Sequence, residues 1–193
     1  MGSEGVLNPI ISWLHAELRG MQPRNQRLLA CAFMRTIWYA LDVRSRQAVL
    51  VAERLADGEA TEEERRQFHD TERQEIWPAR ATCFADEAAA AFQTLRRLIE
   101  GRASHMIQFN QDSLRTCLAN ARYVMPRYEC SPLLRRLARA AYDERLENGR
   151  IDPERLAILR DAVIDELEAP ALIESLRTTF PVYRGFWCLE VLL

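Results

Sequence analysis

The sequence contains no lysine, so all 26 of its basic side chains are arginine. This absence excludes mechanisms that need a lysine, namely Schiff-base chemistry, phosphate-loop nucleotide binding and kinase-type phosphoryl transfer. Arginine keeps its positive charge and can donate two parallel hydrogen bonds to a carboxylate or a phosphate. The composition therefore favours fixed cationic contacts over lysine-based catalysis.

The chain also lacks the short motifs that mark common catalytic sites. It has no Gly-x-Ser-x-Gly nucleophile elbow, no glycine-rich phosphate loop and only three histidines. His69 and Glu72 share a helix face, but Arg66 stands where a Glu-x-x-His motif would need a carboxylate, and no second such pair exists. We therefore expect no catalytic residues, no metal site and no cofactor. An enzyme whose pocket is assembled from distant helices is a third hypothesis.

Cysteine is present, but without the spacing of disulfides or zinc sites. The five cysteines are odd in number and widely separated, and no two of them form a Cys-x-x-Cys pair. A reduced thiol in an apolar helix behaves as a small hydrophobic side chain. We predict reduced, structural thiols at all five positions, Cys31, Cys83, Cys117, Cys130 and Cys188.

Long apolar runs are missing as well. No run approaches the roughly eighteen residues that a membrane-spanning helix needs. The N-terminal segment has no basic region followed by an apolar core, so a secretory signal is not expected. We predict a cytoplasmic protein without a membrane partner. The 193 residues, 48% of them hydrophobic, are enough for one domain with a substantial core.

The strongest positive signal is a helical hairpin between residues 27 and 58. Its first half, 28–41, is apolar on nearly every side apart from Arg35, which predicts a buried helix. The second half has a one-sided apolar stripe and places Glu53 on its surface. Asp42 is the predicted N-cap of this second helix, and Gly58 is its predicted stop.

Cap residues predict further helices in the rest of the chain. Their starts are marked by Thr61 with Glu64, by Ser131 with Pro132 and by Asp152 with Pro153. The helix over 61–77 is polar and should lie over the surface or project from it. The tail over 181–193 is strongly apolar and must dock on the body or on a partner. We predict a single all-α domain over 1–193, a compact bundle of about eight helices around the central hairpin.

Six blocks of sequence carry a family resemblance over about half the chain. They lie at 27–32, 37–38, 44–58, 141–145, 156–159 and 184–187. In these blocks and in their order, the sequence resembles an uncharacterised all-helical family that is abundant as paralogues in planctomycetes. The resemblance implies the helical hairpin but no established activity.

The chain departs from that family at residues that would suggest chemistry. Members often carry several cysteines in the first helix of the hairpin, whereas Phe33 and Met34 stand there and only Cys31 remains. Val182 stands where the family has a histidine before its Arg-Gly-aromatic-Trp motif. A metal or redox role is therefore not expected from the resemblance.

Charge is unevenly distributed in the C-terminal half. Residues 96–139 contain nine arginines against three acids, a balance of +6, and residues 140–177 contain ten acids against five arginines, a balance of −5. Arginine interleaved with tyrosine suits phosphate contact and base stacking, although the acidic segment could instead neutralise the basic one within the chain or in a homo-oligomer. A nucleic-acid-binding accessory protein is therefore the second hypothesis. It would use Arg115, Arg122, Arg127, Arg135, Arg136 and Arg139.

The leading hypothesis is a non-enzymatic protein-interaction module, an adaptor or accessory subunit of a larger bacterial complex. Arginine and tryptophan are enriched at binding hot spots. The candidate partner-binding residues are Arg44, Arg46, Arg54, Arg184 and Trp187. The alternative is that the first three form ion pairs with Glu53 and Asp57. For the 184–187 segment the alternative, and the favoured interpretation, is that it anchors the tail, with Gly185 permitting a close backbone approach.

Overall fold

A computed structural model describes residues 18, 20–69, 82, 83, 90, 93, 94 and 128–193. These residues form seven α-helices and one 3-10 helix and contain no strand, so the predicted all-α fold is confirmed. None of the helices among them is long and apolar enough to cross a membrane. The chain divides into two compact units, 1–115 and 116–193. The single domain over 1–193 stays a prediction.

The first unit contains the predicted hairpin. Helix α1 spans Pro23–Arg35, a 3-10 helix spans Trp38–Ala40, and helix α2 spans Val43–Ala56. Helix α1 packs against α2, and each of residues 28–34 is at most 2% exposed. The buried arm of the hairpin is therefore confirmed, and its all-round apolar surface follows from contacts on every side.

The buried helix is shorter than its apolar pattern predicts. It ends at Arg35, with Thr36 as its C-cap, and Ile37 leaves the helical region with φ −116°. The Thr36 hydroxyl donates to the Phe33 carbonyl oxygen (2.7 Å) at this end. The prediction that the helix continues to Leu41 is wrong. The remaining apolar residues instead fill a turn in which the backbone tightens into the 3-10 helix.

The predicted caps of the first unit are confirmed. The Asp42 carboxylate accepts from the Ser45 backbone N–H (2.7 Å), and Gly58 adopts a left-handed conformation with φ 74°. Helix α3 spans Glu62–His69 and packs against α2. Its capping box is complete: Glu64 N–H donates to the Thr61 hydroxyl (3.2 Å) and Thr61 N–H donates to the Glu64 carboxylate (2.8 Å). Residues 70–77 of the predicted polar helix lie outside the described residues.

The second unit has two layers of helices. Helices α4 (Pro132–Asp143) and α5 (Pro153–Glu166) form one layer, and helices α6 (Pro170–Leu176) and α7 (Trp187–Glu190) form the other. Helix α4 packs on α5 and α7, and α6 packs on α5 and α7. The residues buried between the layers include Leu134, Ala138, Tyr142, Leu156, Leu159, Val163, Leu172, Phe186, Leu189 and Leu192.

The apolar tail lies in the core of this second unit. Ile151 N–H donates to the Val182 carbonyl oxygen (2.8 Å), and Tyr128 N–H donates to the Val191 carbonyl oxygen (3.2 Å). Gly185 has φ 87°, so the position requires glycine for a left-handed turn. The close backbone approach expected from the sequence stays a prediction. The tail is thus held by backbone contacts as well as by its large side chains.

The start of α4 is joined to the end of α5. The Ser131 hydroxyl caps α4 by accepting from Leu134 N–H (3.1 Å). The same hydroxyl and the Ser131 backbone N–H both donate to the Glu166 carboxylate, each at 2.5 Å. These two hydrogen bonds hold the pKa of the Glu166 carboxyl below its ordinary value of 4.5. The bond from the hydroxyl has the larger effect, and the bond from the backbone N–H has the smaller one.

We expect the stability of the second unit to decline in acid through Glu166. Because its pKa is lower in the folded state, its contribution is present above about pH 4.5 and is lost as the pH falls through the lowered pKa. The Glu166→Gln variant should lose stability at neutral pH and should show a weaker decline between about pH 5 and pH 3. Thermal unfolding across this range measures the effect, with Glu168→Gln as the matched control. Equal acid sensitivity of wild type and Glu166→Gln would contradict it.

Candidate functional site

A buried ion pair lies beneath the turn of the hairpin. Arg35 Nε and Nη2 donate to Glu53 Oε1 and Oε2, each at 2.9 Å, and both side chains are 2% exposed. The prediction that Glu53 lies on the surface of α2 is therefore wrong. A charged residue at the end of a buried helix needs a counter-charge in the core, and α2 supplies it. Asp57, the other acid considered from the sequence, pairs with Arg24 (2.6 Å).

Two arginines stack on the buried ring of Trp38. Their guanidinium carbons lie 4.0 Å (Arg35) and 5.5 Å (Arg46) from the centroid of the ring. Arg46 Nε also donates to the Trp38 carbonyl oxygen (3.1 Å), and its Nη2 donates to the Tyr39 carbonyl oxygen (3.4 Å). Arg46 of α2 thus holds the backbone of the 3-10 helix, and Arg35 of α1 holds the Trp38 ring.

The fixed turn presents apolar side chains to solvent. Tyr39 is 69% exposed and Val43 is 71% exposed. Trp38, which precedes Tyr39, and Leu41, which lies between the two, are both buried. We call residues 38–44 the hairpin tip. Sequence reasoning missed this surface because Tyr39 stands in an apolar run that looked uniformly buried. The alternation of buried and exposed residues arises only once the chain leaves the α-helix.

The structure separates the predicted arginine row on α2. Arg44 is exposed at the hairpin tip, with Nη2 3.5 Å from the Gln67 carbonyl oxygen, and the half-buried Arg46 supports the tip. Arg54 binds Glu64 (2.8 Å) at the other end of α2, about 15 Å from Arg44 along the helix. Of the three predicted residues, Arg44 thus lies in the hairpin tip, Arg46 holds the tip, and Arg54 belongs to the α2–α3 connection.

The remaining predicted partner-binding residues lie in the second unit. Arg184 is 9% exposed, and its Nε donates to the Tyr142 hydroxyl (3.1 Å), with the guanidinium carbon 5.1 Å from the tyrosine ring. Trp187 is partly buried against the same core. These contacts correspond to the anchoring role that the sequence offered as the alternative for this motif.

The sequence did not predict that two further arginines, Arg27 and Arg65, are buried. Arg27 Nη1 donates to the Thr82 carbonyl oxygen (2.9 Å), and Arg65 Nη1 donates to the Cys83 carbonyl oxygen (2.8 Å). They are 4% and 8% exposed. Arginine has several donors for buried carbonyl groups. Arg27 therefore holds residue 82 to α1, and Arg65 holds residue 83 to α3.

The described cysteines are free thiols, and Cys31, Cys83 and Cys188 are buried while Cys130 is partly buried. Burial raises the pKa of Cys31, Cys83 and Cys188, and this environment disfavours the reactive thiolate. Cys117 lies outside the described residues. Among the residues that are described, no group of three or more His, Cys, Asp or Glu side chains could hold a metal ion.

The outward side of α4 is mainly basic, and one exposed acid, Asp143, lies on the same side at the end of the helix. Arg135, Arg136 and Arg139 are exposed there, and Leu133 beside them is 55% exposed. Within the described parts of the chain, none of these three arginines is in an ion pair. The other members of the predicted nucleic-acid-binding set lie outside the described residues, namely Arg115, Arg122 and Arg127.

The outward side of the neighbouring α5 is acidic. Glu154, Asp161 and Asp165 are exposed on it, and Ile158 among them is 56% exposed. We call the outward sides of α4 and α5 together the α4–α5 face. It presents opposite charges on adjacent helices of one layer.

Comparisons with known proteins assign no function to the hairpin tip or to the α4–α5 face. No protein-family model matches this chain, and no curated protein or solved structure matches it. The resemblance to the planctomycete family stays a prediction.

Proposed function

We propose that this protein is a non-enzymatic, all-helical interaction module that binds a partner protein through the hairpin tip. Its role would be that of an adaptor or accessory subunit of a larger bacterial complex in the cytoplasm. The observation that carries the proposal is the exposure of Tyr39 and Val43, about 70% each, at the hairpin tip. Contacts from Arg35 and Arg46 hold Trp38 beside them.

Rigidity is what distinguishes this turn from an ordinary exposed loop. Single apolar residues on a surface are common and carry no meaning by themselves. Here the backbone carbonyls of Trp38 and Tyr39 accept hydrogen bonds from Arg46, and the Trp38 ring stacks with two guanidinium groups. A turn whose backbone is already held loses little backbone entropy on binding, so more of the contact energy appears as affinity.

The chemistry of the tip fits a protein partner. Tyrosine supplies a large apolar surface and a hydroxyl group, and it is enriched at binding hot spots. Asp42 and Arg44 are both exposed beside it, which gives the apolar centre a polar rim of mixed charge. A partner with a small apolar pocket, flanked by groups of both charges, matches this arrangement.

The test is site-specific cross-linking in cells of the source organism. A photoreactive phenylalanine analogue at position 39 should yield one defined cross-linked partner, whereas the same analogue at position 180, where Phe180 is 44% exposed, should not. The Tyr39→Ala, Val43→Ala double variant should weaken recovery of that partner by about thirtyfold, the effect of losing a hot-spot contact of about 2 kcal/mol.

Fold controls accompany this test. Tyr39→Ala should leave the thermal midpoint nearly unchanged, because exposed substitutions usually shift stability by less than about 0.5 kcal/mol. Tyr39→Phe should keep most of the binding because it keeps the ring. A partner that binds the double variant as well as it binds wild type would contradict the proposal.

A further inference from the structure

The two rows of charge on the α4–α5 face point away from one core. By helical spacing, Arg136 and Arg139 lie on the side of α4 away from its buried residues, and Asp161 and Asp165 lie on the corresponding side of α5. The inner sides of both helices are buried against the α6–α7 layer. The basic row and the acidic row therefore lie side by side on one outer surface.

Charge pairing inside the chain does not neutralise these rows. Among these four residues only Asp161 has an ion-pair partner within the described parts of the chain, and that partner is its own neighbour Arg160 (2.7 Å). No described carboxylate pairs with Arg136 or Arg139, although an acidic helix is adjacent. The face thus keeps both charges available to another molecule.

We infer that the α4–α5 face binds the same face of a second copy of this chain. A two-fold axis that lies in the contact plane, between α4 and α5 and along their direction, places α4 of each copy against α5 of the other. Each basic row then meets an acidic row, at two symmetric contacts. The exposed Leu133 and Ile158 add apolar surface within the contact. This interface does not involve the hairpin tip.

A second copy fits this face better than a polyanion does. A nucleic acid would be attracted by α4 and repelled by α5 beside it, and the net charge of the chain is −2. An acidic peptide meets the same conflict. A copy rotated by 180° presents both charges in the reversed order, which is the arrangement that complements both rows at once.

The size of the face predicts a weak dimer. Helices of 12 and 14 residues are about 18 and 21 Å long. With neighbouring axes about 8–10 Å apart, they form a face of about 20 by 20 Å, smaller than the roughly 800 Å² per partner of a standard interface. We expect dissociation in the micromolar range. Raising the salt from about 0.1 M to about 1 M should favour monomers, because it shortens the screening length from about 10 Å to about 3 Å.

Charge reversal in the full-length chain tests the inference, with sedimentation velocity as the measurement. One variant reverses the basic row (Arg136→Glu, Arg139→Glu) and another reverses the acidic row (Asp161→Arg, Asp165→Arg). Each variant alone has two rows of like charge, so its dimer should dissociate at least about tenfold more readily than the wild-type dimer. An equimolar mixture restores opposite charges at both contacts and should dimerise.

Controls separate association from folding. The single reversals Glu174→Arg and Arg177→Glu change exposed residues away from this face and should leave dimerisation unchanged. A chain with all four reversals has an acidic α4 and a basic α5, so it should self-associate again. Helical circular dichroism is recorded for every variant, and a four-reversal chain that is folded but monomeric would contradict the inference.

Three results would overturn the inference. The first is a wild-type chain that sediments as a monomer at every concentration. The second is a mixture of the two folded variants that fails to dimerise. The third is a monomeric wild type whose Arg136 and Arg139 are required for salt-sensitive binding of a single-stranded oligonucleotide, which would assign the basic row to nucleic acid.

Discussion

Replacing Glu53 with alanine should lower the free energy of unfolding of the first unit by about 3–5 kcal/mol. The side chains of Arg35 and Glu53 are each 2% exposed and make two parallel hydrogen bonds. Removing one partner leaves the other charge buried without compensation, and that desolvation cost dominates the effect. Denaturant-dependent hydrogen exchange of peptides from α1 and α2 measures the first unit by itself.

The matched control for this prediction is the ion pair made by Arg54, the residue next to Glu53 on α2, with Glu64 of α3. Arg54 and Glu64 have side chains 43% and 32% exposed, so Arg54→Ala should cost at most about 1 kcal/mol. The double variant Arg35→Met, Glu53→Leu should recover most of the stability, because apolar residues of similar volume can replace a buried pair without an unpaired charge. Equal losses for Glu53→Ala and Arg54→Ala would show that the pair is not desolvated.

Replacing Phe186 with alanine should destabilise the second unit by about 3–5 kcal/mol. Its ring is 1% exposed and lies in the core formed by α4, α5 and α6. The loss combines the transfer free energy of the ring with the cavity that remains, since a close-packed core relaxes only in part. Denaturant unfolding of full-length protein, followed by labelling of the buried Cys188 thiol, reports on this unit.

Phe180 is the matched control for this second prediction. It is the same residue type six positions earlier, and it is 44% exposed. Phe180→Ala should therefore cost less than about 1 kcal/mol and should leave the labelling of Cys188 nearly as slow as in wild type. If both variants labelled Cys188 equally fast, the tail would not be anchored through Phe186.

The helix starts were predictable because caps are local. The Asp42 cap, the Thr61–Glu64 capping box and the Ser131 and Asp152 caps all join residues two or three positions apart. Their geometry depends on the chain within one turn, so a short stretch of sequence contains all the information. Gly58 is similar, since a left-handed residue at a helix end needs only the backbone next to it.

The end of α1 was not predictable in the same way. Residues 28–41 form one apolar run, and periodicity gives the same signal for a long buried helix as for a helix followed by an apolar turn. The distinction depends on Trp38, whose ring is held by arginines from both arms of the hairpin. Glu53 was misplaced for a related reason, because its partner Arg35 is 18 residues away.

The candidate surfaces were only partly accessible from the sequence. The change from positive to negative charge near residue 140 was visible, and it corresponds to the opposite charges of α4 and α5. What the pattern left open was whether α4 arginines pair with acids of their own chain. Such pairing depends on the direction in which the charged side of each helix faces. The packing of the apolar sides into the core sets that direction.

By itself, the sequence determined the all-helical class, the positions of the caps and the buried arm of the hairpin, because each follows from local bonding or from spacing along one helix. Only the tertiary structure decided that Arg35 and Glu53 pair in the core, that Tyr39 and Val43 face solvent, and that two unlike rows of charge share one surface. These outcomes depend on contacts between distant segments, where burial changes the free energy of a charge far more than its neighbours in the chain do.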